Sequence, residues 1–149
     1  MNRTILFLDF DGVLHPAGGV APASRFSRLP LLEALLVEPE FAHVEIVVSS
    51  TWREAIPLAR LRGLFPETLR GRVVDCTPQL DDPDVEHPRY REIRAWLNRN
   101  PGVAAWAALD DSIAQFPDDR RERAVFTDPA TGLDAGAIVA LRALLARSR

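Results

Sequence analysis

The sequence predicts an α/β fold, a three-layer sandwich in which helices cover both faces of a five-stranded parallel sheet. Two observations lead to this prediction. Short apolar runs of strand length alternate along the chain with longer segments whose apolar residues recur at helical spacing. The chain has 149 residues without an internal repeat or a linker, which indicates one domain, residues 1–149, around one hydrophobic core.

Five strands are predicted from short apolar runs, at residues 4–8, 44–48, 72–76, 104–109 and 123–127. The first run, TILFL, is apolar throughout and stops at Asp9, which indicates a strand buried on both faces. The run VEIVV stops at Ser49, and the run AAWAAL stops at Asp110. Because helical segments separate these runs, we expect the strands to pair in parallel.

Four helices are predicted, at residues 29–37, 53–64, 89–98 and 135–146. The first has Leu at helical spacing behind Pro30, a favourable early position for proline. In the second, Pro57 is expected in the first turn, because proline disrupts a helix interior. The third places Ile93 and Trp96 on one face. Before this third helix, the acidic and proline-rich segment 79–88 is predicted to be a surface loop.

Composition narrows the classes of function. The net charge of −3 weakens a general nucleic-acid-binding function, which usually has a basic balance. All 18 basic residues are Arg, so any permanent side-chain cation here is a guanidinium. Cys76 is the only cysteine, which excludes an internal disulfide. No apolar run has the length of a membrane span or a signal peptide, and we expect a cytoplasmic protein that does not bind membranes.

Acids and hydroxyls follow three of the predicted strands: Asp9-Phe10-Asp11-Gly12, Ser49-Ser50-Thr51 and Asp110-Asp111. Ligands of open parallel sheets bind at the carboxyl ends of the strands, so these groups are expected to converge. Four carboxylates in one place would repel each other unless a cation binds, and oxygen ligands suit Mg²⁺. Any one of these Asp residues alone would be interpreted as a helix cap or a turn residue.

The pair Asp9 and Asp11 suggests covalent phosphoryl chemistry. Residues two apart in extended backbone share a face, so one carboxylate can attack phosphorus while the other transfers the proton. Gly12 lets the chain turn away without a Cβ near the phosphate. Ser50 can donate a hydrogen bond to a phosphoryl oxygen, and an Arg can offset the charge of the transition state.

The run ILFLDFDGVL resembles the first motif of the haloacid dehalogenase-like phosphohydrolases, an apolar strand followed by Asp-x-Asp-Gly. The runs IVVSS and AALDDS resemble the second and fourth motifs of that family, in the same order along the chain. The resemblance implies a Rossmann-like sheet of order 5-4-1-2-3. It also implies that Asp9 is the nucleophile and Asp11 the general acid/base. The implied Mg²⁺ ligands are Asp9, Asp11 through its backbone carbonyl, Asp110 and Asp111.

The third motif of this family is a Lys or sometimes an Arg. Since the chain has no Lys, the resemblance implies an Arg, and Arg89 is favoured over Arg91 because it opens the predicted helix. Finer features, the runs VVSSTWRE, REIRAWL and TGLD, are similar to compact domains of this superfamily that are associated with RNA-repair proteins. In that subgroup a Ser or Thr lies two residues before a Trp, which selects Ser50 over Ser49 as the second-motif residue.

Residues 13–43 and 54–88 are too short to hold a full cap domain, so the site is expected to be open. An open site suits a large phosphorylated substrate such as a polynucleotide end, unless a second subunit covers it. The candidate substrate-binding residues are Gly12, Ser49, Thr51, Arg53 and Arg91. For a polynucleotide, Arg53, Arg91 and Arg94 are expected to contact backbone phosphates.

Other functions remain as alternatives: a sugar-phosphate phosphatase, a phosphotransferase, or a non-catalytic domain that keeps the fold for binding. A Ser hydrolase and a P-loop kinase are excluded, because the chain has neither a Gly-x-Ser-x-Gly nor a GxxxxGK run. Three tryptophans, Trp52, Trp96 and Trp106, are predicted to belong to the core, and Cys76 to be a small buried apolar residue. His15 lies near the expected mouth of the site, either as a substrate contact or as a loop residue.

Overall fold

Five parallel strands form the centre of the structure, a computed structural model that describes residues 3–147. They are β1 (Arg3–Leu8), β2 (Val44–Val48), β3 (Val73–Cys76), β4 (Val103–Asp110) and β5 (Ala124–Phe126). Their order in the sheet is β3-β2-β1-β4-β5, which is the predicted order read from the opposite edge. The fold class, the parallel sheet and the strand order are therefore confirmed.

Five α-helices accompany the sheet: α1 (Leu29–Leu36), α2 (Leu58–Arg62), α3 (Glu67–Arg70), α4 (Pro88–Arg99) and α5 (Ala135–Arg147). Short 3-10 turns lie at Pro22–Ser24, Pro39–Phe41, Thr51–Glu54 and Ile113–Gln115. Both α1 and α4 have a proline in the first turn, where the missing N–H costs no intrahelical hydrogen bond.

The central strand β1 sets the level of the site. Leu8 lies opposite Val48 of β2 and Leu109 of β4, so all three strands end at the same height. The parallel ladder continues one step further, with the Asp9 amide donating to the Leu109 carbonyl and the Ser49 amide donating to the Leu8 carbonyl. The first residues after these strands are consequently neighbours at one edge of the sheet.

Alternating residues of β1 supply two separate apolar layers. Leu6 and Leu8 pack in a cluster with residues of α1, α2, α3 and α5, and this cluster fills one side of the sheet. Ile5 and Phe7 pack on the other side with Ile93 and other residues of α4. Every residue of 4–8 is buried, as expected for a strand with helices on both faces.

The helix predicted at residues 53–64 is confirmed only over Leu58–Arg62, and its predicted start is wrong. Residues 51–54 form a 3-10 turn, and α2 begins only at Leu58, with Pro57 in extended backbone as its cap. Proline disfavours the helical conformation of the residue before it, so the helix cannot extend back through Ile56. A second short helix, α3, follows Pro66 in the same way and was not predicted. The other predicted helices and strands match the structure to within about two residues at each end.

Neither connection that could hold a cap domain contains one. Residues 13–43 contain two 3-10 turns and α1, and residues 54–88 contain α2, α3, β3 and the loop before α4. Both segments lie within the described residues. Among residues 3–147, no helix combines the length and the apolar character that a membrane crossing requires.

Candidate active site

Three carboxylates meet at the carboxyl end of the sheet. One oxygen each of Asp9, Asp110 and Asp111 can be chosen so that all three atoms lie within 4.8 Å of one another. Asp9 and Asp110 are almost fully buried, and Asp111 is partly exposed. They converge because β1 and β4 are adjacent and end together. An all-oxygen set of this size matches the donors that Mg²⁺ takes from proteins, so these residues fit a divalent cation.

Burial and mutual repulsion perturb two of these acids. Desolvation and the neighbouring charge of Asp110 raise the pKa of Asp9 to about 9, although Arg89 opposes the shift. Desolvation also raises the pKa of Asp110 to about 6, against the attraction of Arg89. Without a cation, the pocket therefore favours the protonated form of Asp9 near neutral pH. A bound divalent ion would reverse this preference, since it is the largest local charge in such a site.

Gly12 allows the loop after β1 to pass close to Asp111, which follows β4. Its φ is +75°, and a Cβ at this position would lie 2.1 Å from Asp111 Oδ2. Any side chain here would both strain the backbone and displace that carboxylate. The Gly12 carbonyl accepts a 2.6 Å hydrogen bond from the Thr127 hydroxyl after β5, which fixes the turn from a third strand. The turn was predicted from the sequence, but the close approach to Asp111 was not.

Arg89 enters the acidic group from the first turn of α4. Its Nε lies 3.3 Å from Asp110 Oδ2, and its Nη1 lies 3.7 Å from Glu92 Oε1. Both nitrogens are buried, yet neither has a well-aligned hydrogen-bond partner among the described residues. A buried guanidinium with free donors is costly, and it is suited to an anion that supplies the missing acceptors. Arg91 is exposed and makes no contact of this kind.

The residues after β2 line the other side. Ser50 is fully buried, and its Oγ accepts a 3.2 Å hydrogen bond from the Trp52 amide, which leaves the hydroxyl proton free to be donated. Ser49 is also buried, and its Oγ has no partner among the described residues. Thr51 is exposed and lines a cavity of about 220 Å³ beside Arg89. The two serines thus occupy different environments.

Arg53 is held by hydrogen bonds to other residues of the protein, and these contacts were not predicted from the sequence. Its guanidinium donates to the backbone carbonyls of Ser50 and Thr77, at 2.8 and 2.9 Å, and to Glu92 Oε2 at 2.7 Å. A longer contact of 3.4 Å reaches the Pro78 carbonyl. Because these acceptors occupy its donors, Arg53 links the second-motif loop to α4 and has few donors left for a phosphate.

Asp11 lies outside the group formed by the three acids. Its carboxylate accepts from Trp52 Nε1 at 3.0 Å and is joined to His15 Nε2 at 2.8 Å. His15 is buried and Trp52 half-buried, whereas the Asp11 side chain is 49% exposed, so the two contacts lie at the rim of the site. The Asp11 carboxylate is therefore not one of the oxygen donors of the acidic group.

Trp52 packs against the core cluster, as predicted, and also donates to Asp11. His15, expected either as a substrate contact or as a loop residue, lies buried against the Asp11 carboxylate. Neither contact with Asp11 was predicted. The available signal was the spacing of His15 and Trp52, four residues after Asp11 and two after Ser50. The other two tryptophans do pack as predicted against Phe7, Trp96 being buried and Trp106 partly exposed. Cys76 is half-exposed at the end of β3 rather than fully buried, and burial raises the pKa of its thiol.

Residues 5–138 match the family model described as the HAD domain in Swiss Army Knife RNA repair proteins. The match covers most of the chain, and the α/β fold and the acidic group of the chain agree with this family. The chain therefore belongs to this family of haloacid dehalogenase-like domains. No curated protein and no solved structure gives a significant match. Membership suggests activity of the phosphohydrolase type, and the group of Asp9, Asp110 and Asp111 fits a metal site of this family.

Proposed function

We propose that the protein is a Mg²⁺-dependent phosphomonoester hydrolase in which Asp9 is the nucleophile. The observation that supports this best is the meeting of Asp9, Asp110 and Asp111 with Arg89, whose buried Nε and Nη1 have no well-aligned hydrogen-bond acceptor among the described residues. Three acids and one arginine with free donors suit a dianionic phosphate accompanied by a divalent cation. If the cluster were purely structural, the buried Nε and Nη1 of Arg89 would have no acceptor to offset the cost of their burial.

In the first step, the Asp9 carboxylate attacks phosphorus. Its Oδ1 accepts from the Phe10 amide at 2.9 Å, which orients the carboxyl group. The new bond joins Asp9 oxygen to phosphorus, the ester bond to the leaving oxygen breaks, and Asp11 gives its proton to that oxygen. In the second step, Asp11 takes a proton from water and the water oxygen bonds to phosphorus. The bond between Asp9 oxygen and phosphorus breaks, which releases inorganic phosphate and restores the Asp9 carboxylate.

Arg89 and Ser50 bind the transferred phosphoryl group. Arg89 supplies charge and hydrogen bonds where negative charge accumulates, and the buried Ser50 hydroxyl donates from the opposite side. Asp9, the Asp11 carbonyl, Asp110 and Asp111 would hold Mg²⁺, which would neutralise the phosphate and bring it close to the carboxylates. The preference for Ser50 over Ser49, and for Arg89 over Arg91, is part of the proposal.

The substrate class we favour is a nucleic-acid end or a nucleotide. The family is described for RNA repair proteins, and residues 3–147 include no cap that would restrict the site to small molecules. The cavity beside Arg89 is lined by Gln79 and Gln115, whose amides offer hydrogen bonds to a base or sugar. A sugar-phosphate phosphatase, a phosphotransferase and a non-catalytic binding domain are the alternatives.

A phosphatase screen with Mg²⁺ tests the proposal. Nucleotides, sugar phosphates and phosphorylated oligonucleotides are incubated with the protein, and both free phosphate and the dephosphorylated product are measured. We expect equal amounts of phosphate and product from nucleic-acid substrates. Product formed without free phosphate, when an acceptor is present, would identify a phosphotransferase. Absence of turnover on every substrate would contradict the enzymatic proposal and favour a binding domain.

A further inference from the structure

The Asp11 carboxylate is held by two side chains that the mechanism above does not use. One oxygen lies 2.8 Å from His15 Nε2, and the other accepts from Trp52 Nε1 at 3.0 Å. Each oxygen therefore has its own donor, so the carboxyl group is fixed in rotation as well as in position. The backbone adds to this constraint, because the Gly12 amide donates to the His15 carbonyl at 2.8 Å and closes the turn between them.

The direction of the His15 contact follows from its other ring nitrogen. Nδ1 lies 3.2 Å from the backbone amide of Phe26, which can only donate. Nδ1 must accept this hydrogen bond, so the ring proton of the neutral imidazole lies on Nε2 and points to Asp11. The backbone thus selects the tautomer that makes His15 a donor to the carboxylate.

The residue that selects the tautomer has an unusual backbone. Phe26 has a φ of +58°, a left-handed conformation that is uncommon for a bulky residue and tends to persist where the surroundings enforce it. Here the surroundings are aromatic. The Phe26 ring lies 5.4 Å from the His15 ring, 5.3 Å from Trp52 and 5.5 Å from Phe10, measured between ring centroids. We call Phe10, His15, Phe26 and Trp52 the aromatic box.

We propose that His15 and Trp52 are positioning residues that hold the Asp11 carboxylate apart from the acidic group and ready for proton transfer. The inference rests on the proposed function, in which Asp11 is the general acid/base. Two neutral donors orient this carboxylate without adding net charge beside the phosphate. The remainder of the aromatic box fixes the donors, with Phe26 setting the His15 tautomer and Phe10 packing against Trp52.

The geometry separates this role from substrate binding. Arg89 lies in α4 and Ser50 follows β2, and among the described residues neither side chain forms a hydrogen bond or an ion pair with His15. Loss of either donor should let the Asp11 carboxylate rotate, which slows proton transfer but leaves the phosphate-binding groups in place. A fall in kcat with little change in KM is therefore the expected signature.

Matched substitutions of two tryptophans test the proposal. Trp52→Phe removes the indole donor to Asp11, and Trp96→Phe removes a similar indole donor, 2.8 Å from Asp75, outside the site. We expect Trp52→Phe to lower kcat by roughly 10-fold or more. Trp96→Phe should lower the melting temperature and leave kcat within about twofold of wild type, as for a residue that does not contact the site.

His15 is tested in the same assay. His15→Asn keeps an acceptor for the Phe26 amide and loses the Nε2 donor, so kcat should fall as for Trp52→Phe. His15→Gln places an amide nitrogen near the Nε2 position and should recover part of the loss. Wild-type kcat in both Trp52→Phe and His15→Asn would overturn the proposal. Absence of activity in the wild-type protein would instead contradict the proposed function.

The tautomer can be measured independently of activity and of any variant's folding. In the wild-type protein, ¹⁵N NMR of the histidine ring should show a protonated Nε2 and an unprotonated Nδ1 for His15. A proton on Nδ1 alone would turn the Nε2 contact into a lone pair facing a carboxylate, and this result would overturn the assignment of His15 as a donor.

Discussion

Arg53 and Glu92 form an ion pair of 2.7 Å in which the side chains are only 5% and 10% exposed. The pair joins the loop after β2 to α4, and Glu92 also lies 3.7 Å from Arg89. Glu92 thus lies between two guanidinium groups. The donors of Arg53 are occupied by acceptors of the protein, whereas Nε and Nη1 of Arg89 have no well-aligned acceptor among the described residues. This arrangement places α4, and with it Arg89, relative to the second-motif loop.

We predict that Arg53→Met destabilises the fold strongly. It would leave Glu92 buried with a weaker partner and would remove donors to the Ser50 and Thr77 carbonyls. Breaking one side of a buried pair costs about 3–5 kcal/mol of unfolding free energy. Denaturant unfolding measures the change. Arg120→Met, which removes an exposed pair with Asp119, is the control and should change the unfolding free energy by less than about 1 kcal/mol. Equal effects of the two substitutions would contradict a structural role for Arg53.

We predict that Asp9→Asn abolishes turnover and leaves the fold intact. The amide keeps the shape of the side chain but lacks the nucleophilic carboxylate. It also removes one acid from a crowded group, so the melting temperature of the metal-free protein should not fall. Hydrolysis and thermal unfolding are measured on the same preparation. A folded variant that retains wild-type rates would exclude Asp9 as the nucleophile.

Activity should require Mg²⁺ and disappear in EDTA. Ca²⁺ should support turnover poorly, because its larger and looser coordination shell holds phosphate and carboxylate less closely. The measurement is the initial rate after chelation and after return of each ion. Undiminished activity in metal-free buffer would refute the assignment of Asp9, Asp110 and Asp111 as a metal site.

The stabilisation by Mg²⁺ should grow with pH. Burial and Asp110 raise the pKa of Asp9 to about 9, above the value near 4 of an unfolded Asp. Between these values the folded state holds a proton that the unfolded state has lost, so the metal-free protein loses stability as pH rises. Mg²⁺ binds the ionised form and offsets this loss.

The test is the shift in melting temperature that Mg²⁺ causes at about pH 5.5 and at about pH 8. We expect the larger shift at the higher pH. Asp9→Asn is the control, since it lacks the group with the most strongly raised pKa and should show a weaker pH dependence. An Mg²⁺ shift of the same size at both pH values in the wild type would contradict the prediction.

The sequence predicted all five strands and the acids that follow β1 and β4, because an apolar run and the residue that ends it are adjacent in the chain. A continuous apolar run indicates a buried strand wherever it lies, and the residue after it inherits a place at the carboxyl edge of the sheet. The contacts of Arg53, 39 residues from Glu92, and of Trp52, 41 residues from Asp11, arise only when distant segments pack. The predicted start of the helix at 53–64 was wrong for a local reason, because Pro57 adopts extended backbone and the helix begins only after it.

The polynucleotide hypothesis now depends on α4. Arg53 is engaged by its own fold, but Arg91 and Arg94 are exposed, and neither forms an ion pair with another described residue. They lie three residues apart, so their side chains are neighbours on the helix that begins beside Arg89. A strand whose end lies in the site would need to follow this surface, while the acidic loop before α4, from Asp81 to Glu86, would repel it.

We predict that the double substitution Arg91→Gln and Arg94→Gln lowers catalytic efficiency severalfold on a phosphorylated oligonucleotide and leaves the matching mononucleotide unaffected. For each arginine that binds a backbone phosphate, its removal should reduce the salt dependence of the oligonucleotide reaction by about one unit of slope. The control is Arg60→Gln with Arg142→Gln, which removes the same charge from two helices whose buried residues pack on the other face of the sheet. Efficiency is compared at low and moderate salt for both substrates. If the mononucleotide is the better substrate and salt affects both substrates equally, the polynucleotide hypothesis gives way to a small-molecule phosphatase. An exposed arginine pair that guides a strand must show its effect in the salt slope.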